Sequence, residues 1–553
     1  MSEITKLRKS GALQEAYRIG LEVLRREPGN FKAKVEFGWV LNDMMKLKLE
    51  SGQSSLFQLG KEYIGLIDQF IDLKIPESER TLINSVSWQI IKFVNNLANS
   101  RNPDIYLINS IISKLRLIPY DKPSGQHSLL LHAILKLNMQ PVSFLYFINW
   151  WGLDNFGVED LKPYRVSSSE GGRGYTINSL AERALCEVLK YIVEFMNSYQ
   201  GDEIKDKKIY QVIKSLYHKV EEVSAKHPEF FQLRYQFVKF HLSVSRFKNR
   251  FDIRPLGRDK LLEILLPFAR IKKDEFWVWD MLSELVSDEE MRLSCLCRAM
   301  MSKVEDKYLV NVKEKLAEHL IKRKLYKEAK IEISQIIKIR EQNGWSIPET
   351  VKRMTSESWY KGTKINMNES NRRFYAENAR GAEEILFLDL KSYVAVIKGL
   401  DESKGIAHFV FGESGGGGGK ELVFEGSFNY KRYNLEIGVG DFVEIRVSYE
   451  DVFSQGMDRA VKQSSLGRVK VYFAKKTDKV PPSFIYKEVE DYIVVKKDKK
   501  GNMIGFVDDV FIPPDLMKEN KSIKRGEKYK VYAVLNYNES KEAWSWIGLR
   551  IEK

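Results

Sequence analysis

Cysteine is almost absent from the 553-residue chain, which contains only Cys186, Cys295 and Cys297. Three unevenly spaced cysteines do not make a disulfide framework, and one Cys-x-Cys without a second pair does not make a zinc site. No apolar run approaches the roughly 18 residues that a membrane span needs, and the N-terminus lacks the apolar stretch of a secretory signal. These absences predict a soluble, cytoplasmic protein in a reducing compartment.

Recognisable catalytic motifs are also lacking. None of the seven histidines forms a metal-binding pair with a third ligand, and the chain has no Gly-x-Ser-x-Gly elbow. The glycine run at 415–419 does not fit a phosphate-binding loop, because Ser414 and Glu421 stand where that motif needs Gly and a hydroxyl residue. We therefore expect no enzymatic activity, no catalytic residues, no metal and no cofactor.

Charge of one sign is concentrated in one part of the chain. There are 89 Lys and Arg residues against 75 Asp and Glu, which gives a net charge of +14. Residues 381–460 carry a net charge of −6, whereas residues 461–530 carry a net charge of +7. A basic surplus attracts nucleic acid or anionic lipid, or simply keeps a protein soluble. Its concentration in 461–530 favours a polyanionic partner for that segment.

Apolar residues recur at three- and four-residue spacing from the N-terminus to about residue 345, which predicts a series of amphipathic helices. Ala16 and Gly20, followed by Phe37-Gly38, have the spacing of a tetratricopeptide repeat, in which small residues lie where two helices cross. We predict an α-solenoid of tetratricopeptide-like helical pairs over residues 1–345, followed by a linker over residues 346–384.

The apolar period changes to two from about residue 385. Asp441–Val447 and Lys528–Val534 alternate apolar and polar residues, and glycine-containing turns separate such segments. Short strands in units of about 80 residues are typical of small β-barrels. We predict a first barrel over residues 385–478 and a second over residues 479–553, so that the fold class is multidomain, α plus β.

Two aromatic residues flank a tight turn in the second barrel. Phe506 and Phe511 lie on two strands joined through Asp508-Asp509, and alternation along each strand allows both rings to share one face. Single-stranded nucleic acid is held in this way, with bases stacked on rings and cationic side chains along the phosphates. The lysines that we expect to contact phosphates precede the first of these strands and are Lys497, Lys499 and Lys500.

The segment resembles the cold-shock domain, an OB-type barrel with the motifs Lys-Gly-Phe-Gly-Phe-Ile and Val-Phe-Val-His-Phe on neighbouring strands. Residues 502–507 and 510–514 occupy these positions, and Phe506 and Phe511 match stacking residues of the family. Ile504 replaces one family aromatic, and prolines replace the His and Phe of the second motif. Trp544 and Trp546 either extend the binding face or belong to the core.

The first barrel resembles the cold-shock family less closely. Residues 404–409 occupy the position of the first motif, which makes Lys404 and His408 candidate contacts to nucleic acid. The second motif is missing or interrupted by the glycine run, so this barrel is degenerate. Because it is also acidic, we expect a structural or protein-binding role more readily than a nucleic-acid role.

The combination of a helical N-terminal region with two cold-shock-like barrels is similar to the helical/cold-shock proteins of the transposon-encoded conflict (TOTE) systems of prokaryotes. Several aromatic, cysteine and proline motifs carry the resemblance: Phe276–Asp280, Cys295–Met300, Trp345–Pro348, Val510–Pro514, Tyr537-Asn538 and Trp544–Trp546. The resemblance implies a role in nucleic-acid-linked defence or genome conflict.

Two functions remain open from the sequence. The first is a non-enzymatic protein that binds single-stranded RNA or DNA through its second barrel, with the solenoid as a scaffold for a protein partner. The alternative is a protein-interaction scaffold whose solenoid binds a partner subunit or peptide and whose barrels are structural. The sequence does not distinguish RNA from DNA.

Overall fold

The structure is a computed structural model that describes most of the chain. The described residues are 2–50, 56–166, 175–198, 207–245, 253–366, 369–414, 421–448, 469–498, 500–520, 523–538 and 543–553. They form two compact units, Met1–Phe268 and Ala269–Lys553. Lys499, one of the candidate phosphate contacts, lies outside the described residues.

The first unit is built mainly from helices, as the apolar spacing predicts. Helices α1 to α12 are, in chain order, Glu3–Lys9, Leu13–Arg26, Phe31–Glu50, Leu56–Asp72, Arg80–Ala98, Ile105–Leu115, Gly125–Ile134, Pro141–Trp151, Leu180–Ser198, Lys207–Lys226, Phe231–Val244 and Arg258–Ile271. A short antiparallel sheet of β1 (Tyr164–Val166) and β2 (Tyr175–Ile177) lies between α8 and α9 in the chain.

Small residues lie where helices of the first unit cross, as in tetratricopeptide repeats. A Cβ atom added to Gly20 of α2 would lie 2.4 Å from Cδ2 of Phe37 on α3. A Cβ atom added to Gly38 would lie 2.8 Å from Cδ2 of Leu82 on α5. Both distances are shorter than a non-bonded contact of a Cβ atom, so a larger residue at either position would displace Phe37 or Leu82. The tetratricopeptide-like pattern in the sequence therefore has a direct packing cause.

Helices continue through the first part of the second unit. Helices α13 to α20 are Phe276–Leu285, Glu289–Met300, Val310–Lys322, Tyr326–Gln342, Glu349–Ser356, Ser358–Gly362, Arg372–Asn378 and Ala382–Ile385. The last four lie between Glu349 and Ile385, almost entirely in the segment that the sequence predicted as a linker, and that segment therefore contains helices. These helices have at most eight residues each, too few to show an apolar period.

The short helices are held by a few buried contacts with α16. Val351 and Met354 of α17 join Ile336 of α16 in one hydrophobic cluster. Asn371 and Tyr375 donate hydrogen bonds to the buried carboxylate of Glu332, the former over 2.5 Å from its Nδ2 atom to Oε1. The polar composition of 346–384 thus conceals a packed segment, because Asn371 and Tyr375 are buried with a hydrogen-bond partner on α16.

A five-stranded antiparallel sheet follows the helices. Its strands are β3 (Ser392–Asp401), β4 (Ile406–Glu413), β5 (Leu422–Asn429), β6 (Phe442–Ser448) and β7 (Lys470–Lys476), in the spatial order β5-β4-β3-β6-β7. Phe424 of β5 and Val471 of β7 pack against the same apolar core, so the sheet curls around it. The predicted first barrel is therefore a half-barrel, because β5 and β7 meet through side chains and not through strand pairing within the described residues.

The second sheet is a closed barrel. Its strands are β8 (Tyr486–Lys497), β9 (Met503–Val507), β10 (Val510–Ile512), β11 (Lys528–Asn538) and β12 (Ala543–Glu552), in the closed order β10-β12-β11-β8-β9. A short helix, α21 (Pro514–Glu519), connects β10 and β11. The β10–β12 pair is parallel, and the other four pairs of the barrel are antiparallel. This five-stranded arrangement is that of an OB-type barrel, as predicted.

An apolar seam joins the outer surfaces of the two sheets. Val396 of β3 and Val410 of β4 are fully buried against Ile485, Tyr486 and Val534 of the second barrel and the segment that enters it. The inner core of each sheet is separate from this seam. The seam therefore covers part of the outer surface of both sheets, and that surface is not open to a ligand.

A buried carboxylate connects the first sheet to the helices. Glu384 of α20 accepts a hydrogen bond from Arg446 of β6 at 3.2 Å and another from Lys475 of β7 at 2.8 Å. Glu384 is only 8% exposed, and the side chain of Arg446 is largely buried as well. Removing one member of a buried ion pair leaves the other charge without compensation, which is strongly destabilising.

We therefore expect Glu384→Ala to lower the free energy of unfolding by about 3 kcal/mol, because Arg446 would stay buried without its carboxylate. The measurement is the urea concentration at the midpoint of unfolding. Glu383→Ala is the matched control, since Glu383 is exposed and lies 3.9 Å from Arg298, and a change of at most about 0.5 kcal/mol is expected for it. Equal midpoints for the two variants would contradict the assignment.

Candidate nucleic-acid interface

An apolar row crosses the outer face of three adjacent strands in the second barrel. Val494 of β8 is in register with Phe506 of β9, and Phe506 is in register with Phe511 of β10. The centroids of the two phenyl rings are 5.6 Å apart, and their planes are inclined by 53°. Both rings are half-buried. The structure thus brings Phe506 and Phe511 together on one face, as the sequence suggested.

The local sequence allows only this orientation of the two rings. Val507 and Val510, next to the rings in the chain, are fully buried in the barrel core, so alternation directs Phe506 and Phe511 outward. The two-residue turn pairs Val507 with Val510, and Asp508 adopts a left-handed conformation with φ of 51°. Aspartate tolerates that conformation better than most residues.

Lysines border the apolar row at the end of the β8–β9 hairpin. Nζ of Lys496 lies 5.7 Å from the ring centroid of Phe506, which is within the range of a cation–π contact. Lys497 and Lys500 are exposed. Within the described part of the chain, none of these three side chains has a carboxylate oxygen within 4 Å of its amine. Their charges are therefore available to a phosphate.

One aspartate organises the loop that presents the lysines. Oδ1 of Asp498 accepts hydrogen bonds from the backbone amides of Lys500 and Asn502, each at 2.8 Å. Oδ2 accepts another from Nδ2 of Asn502 at 3.1 Å. The hydrogen bonds from Asn502 lower the pKa of Asp498, with that from Lys500 adding to the effect. The carboxylate is thus occupied with the fold of the loop.

The structure does not bring the two candidate tryptophans to this face. Ile547 of β12 is in register with Phe511 and takes the outward position, so its neighbour Trp546 turns inward and packs against the barrel core. Trp544 packs edge-on against Tyr537, with ring centroids 5.5 Å apart. The sequence left open whether the tryptophans extend the binding face or belong to the core. Trp546 belongs to the core, and Trp544 lies beside Tyr537.

The candidates on the first sheet lie in different surroundings. His408 is exposed on the outer face of β4. Lys404 forms an ion pair with Asp401 at 3.1 Å, and hydrogen bonds from Ser403 and Lys404 lower the pKa of Asp401 to about 2. Val410, two residues after His408 on the same face, is buried in the seam. The structure therefore gives His408 no aromatic row comparable to that of Phe506.

Other lysines on and beside the first sheet are also paired with carboxylates. These pairs are Lys391–Glu413, Lys398–Glu425, Lys475–Glu384, Lys476–Asp441 and Lys479–Glu444. A lysine amine that already contacts a carboxylate gains less electrostatic free energy when it binds a phosphate. The two sheets thus differ in the charge that they offer to a polyanion.

Two outward-facing residues of β8 were not among the candidates from the sequence. Val494 completes the apolar row, and Tyr492 precedes it on the same face. The alternation of Tyr492, Val494 and Lys496 with the inward-facing Ile493 was the available signal. It was missed because β8 lacks the motif residues that mark β9 and β10.

The described residues contain neither a metal-ligand cluster nor a membrane-spanning helix. Across those ranges, no group of three or more His, Cys, Asp or Glu side chains is arranged to hold a metal ion. Among the helices in the same ranges, none is both long and apolar enough to cross a bilayer.

Two segments of the chain match known protein families. Residues 487–551, which cover β8 to β12, match the S1/CSD-like domain 2 of the TOTE conflict systems. Residues 256–382 match a domain of unknown function, DUF7017. No curated protein matches the chain. The first match agrees with the cold-shock and TOTE resemblance that the sequence motifs indicate.

Proposed function

We propose that this chain, whose C-terminal barrel is similar to an S1/CSD-like domain of the TOTE conflict systems, binds single-stranded nucleic acid through that barrel. The observation that carries the proposal is the outward pair Phe506 and Phe511, bordered by lysines without carboxylate partners in the described residues. We further propose that the protein acts by binding and not by catalysis.

Two kinds of interaction form the physical basis of this proposal: stacking on aromatic rings and attraction between amines and phosphates. Bases stack on exposed aromatic rings irrespective of their identity, while lysines follow the phosphates. Phe506 and Phe511 supply two neighbouring rings, and Lys496, Lys497 and Lys500 supply cations at the end of the same hairpin. In OB-type barrels the second and third strands and the first hairpin loop form the ligand surface. In this barrel β9, β10 and the described residues between β8 and β9, Asp498 and 500–502, occupy those positions.

The contrast between the two sheets supports the second barrel as the binding domain. On the first sheet, Val396 and Val410 are buried in the seam and Lys404 is paired with Asp401. We propose that the first sheet is structural and positions the second. The match to a conflict-system domain supports a role in prokaryotic defence, in the cytoplasm, on RNA or DNA.

We also propose that the helices of the first unit are a scaffold for a protein partner. Tyr106 of α6 is 90% exposed, and Leu117 just after this helix is also exposed. Contiguous apolar surface is typical of protein contacts, and we propose that Tyr106 and Leu117 contribute to such a surface. Capture of a protein from the native host that resists nuclease treatment and is abolished in the Tyr106→Ala, Leu117→Ala double variant would support this role. A nuclease-sensitive capture would instead point to the barrel.

The stacking role predicts a large loss of affinity when both rings are removed. Phe506→Ala combined with Phe511→Ala should weaken binding to single strands by about 2–6 kcal/mol, because each base–ring stack contributes about 1–3 kcal/mol. The measurement is fluorescence anisotropy with labelled single-stranded RNA, single-stranded DNA and duplex. Tyr106→Ala, which removes an exposed ring elsewhere, is the control. A folded double variant with unchanged affinity would eliminate this site.

The role of the lysines predicts a change in salt dependence. Replacing Lys496, Lys497 and Lys500 with Gln should weaken binding and reduce the slope of log K against log salt by about 0.7 for each phosphate that is no longer neutralised. Lys404→Gln is the matched control, because Asp401 already neutralises that amine. The proposal is wrong if the triple variant keeps the wild-type slope, or if the control lowers the slope by the same amount per lysine.

A further inference from the structure

The apolar row on the second barrel continues beyond the phenylalanine pair. Val494, in register with Phe506, is 44% exposed, and Tyr492 on the same face of β8 is 58% exposed. Two residues along a strand span about 6.8 Å. Phe511, Phe506, Val494 and Tyr492 therefore form a continuous outward path that crosses three strands and then turns along β8.

Cationic side chains accompany this extension. Lys528 of β11 is in register with Tyr492, and its Nζ atom lies 5.6 Å from the centroid of the tyrosine ring. Lys524 and Arg525, just before β11, are exposed. Within the described residues, none of these three cations has a carboxylate oxygen within 4 Å of its charged group.

Backbone contacts place the loop before β11 beside β8. The amide of Gly526 donates to the carbonyl of Ile493 at 3.1 Å, and the amide of Ile493 donates to the carbonyl of Glu527 at 3.0 Å. Ile493 lies between Tyr492 and Val494 in the chain. The backbone directly after Arg525 is therefore hydrogen-bonded to β8, next to the exposed part of that strand.

The charge pattern changes immediately beyond Tyr492. Lys530, two residues after Lys528 on the same face, is paired with Glu488 at 2.7 Å. Glu490 is in register with Lys530 and is also exposed. A phosphate placed there would meet carboxylates. The unpaired cations thus end at the level of Tyr492, which marks the end of the path.

We infer that Tyr492 is a further stacking site for a nucleobase, with Lys528 and Arg525 as its phosphate contacts. The single strand then runs from Phe511 over Phe506 and Val494 to Tyr492, so the barrel binds a longer strand than the phenylalanine pair alone requires. This inference rests on the proposed binding of single-stranded nucleic acid. It adds a subsite on the outer face of β8 and β11, away from the cold-shock motifs of β9 and β10.

The test uses the full-length protein and ten-nucleotide oligothymidine and oligouridine in fluorescence anisotropy. Tyr492→Ala should weaken binding about 5- to 150-fold, the equivalent of removing one base–ring stack. Tyr492→Phe should retain the affinity, because stacking requires the ring and not the hydroxyl. Progressive shortening of the oligonucleotide should reach a length at which Tyr492→Ala and the wild type bind equally.

Lys528→Ala and Lys530→Ala form a matched pair on one strand and one face. Lys528→Ala should weaken binding, whereas Lys530→Ala should not, because Glu488 already holds the latter amine. The inference is overturned if the wild type binds and the Phe506–Phe511 double variant does not, while Tyr492→Ala stays within twofold of the wild type at ten nucleotides. Absence of binding by the wild type would instead overturn the proposed function itself.

Discussion

The apolar seam between the two sheets decides which surfaces of the C-terminal half face solvent. Val396 and Val410 of the first sheet are buried against Val534 of the second barrel. The strands of the two sheets are arranged in the same spatial order, yet the seam covers different strands on each sheet. On the first sheet it covers the central strands β3 and β4. On the second it covers β11 and the beginning of β8 at Tyr486, and it leaves the Tyr492–Lys497 end of β8 exposed together with the outer face of β9 and β10.

The pairing of lysines with carboxylates also distinguishes the first sheet from the exposed face of the second barrel. Carboxylates such as Asp401 and Glu444 hold the lysines of the first sheet, and Glu384 supplies a buried anchor to the helices. The second barrel keeps Lys496 and Lys528 beside exposed rings. Binding to single strands draws most of its energy from stacking and from phosphate neutralisation. The exposed face of the second barrel offers both. On the first sheet, the seam covers part of the outer surface, and carboxylates pair with lysines such as Lys404.

The phenylalanine pair could be predicted because it depends only on local geometry. A two-residue turn obliges its flanking strands to pair, so Phe506 and Phe511 had to be neighbours. Trp546 could not be placed in the same way, since its side depends on which residue of β12 aligns with Phe511. The helices within 346–384 were missed because their stability comes from α16 and from Glu332. A helix of eight residues or fewer has little more than two turns, too few for the 3.6-residue apolar period to repeat.

The sequence by itself determined the helical and sheet halves, the crossing positions of small residues such as Gly20, and the pairing of the two phenyl rings. Each follows from spacing along the chain or from contacts between neighbouring segments. Only the tertiary structure decided that Val410 is covered, that Tyr492 stands beside Lys528, and that Lys404 is paired with a carboxylate while Lys496 and Lys528 lie beside exposed rings. Those outcomes join residues that are distant in sequence, and no local pattern encodes which of them meet.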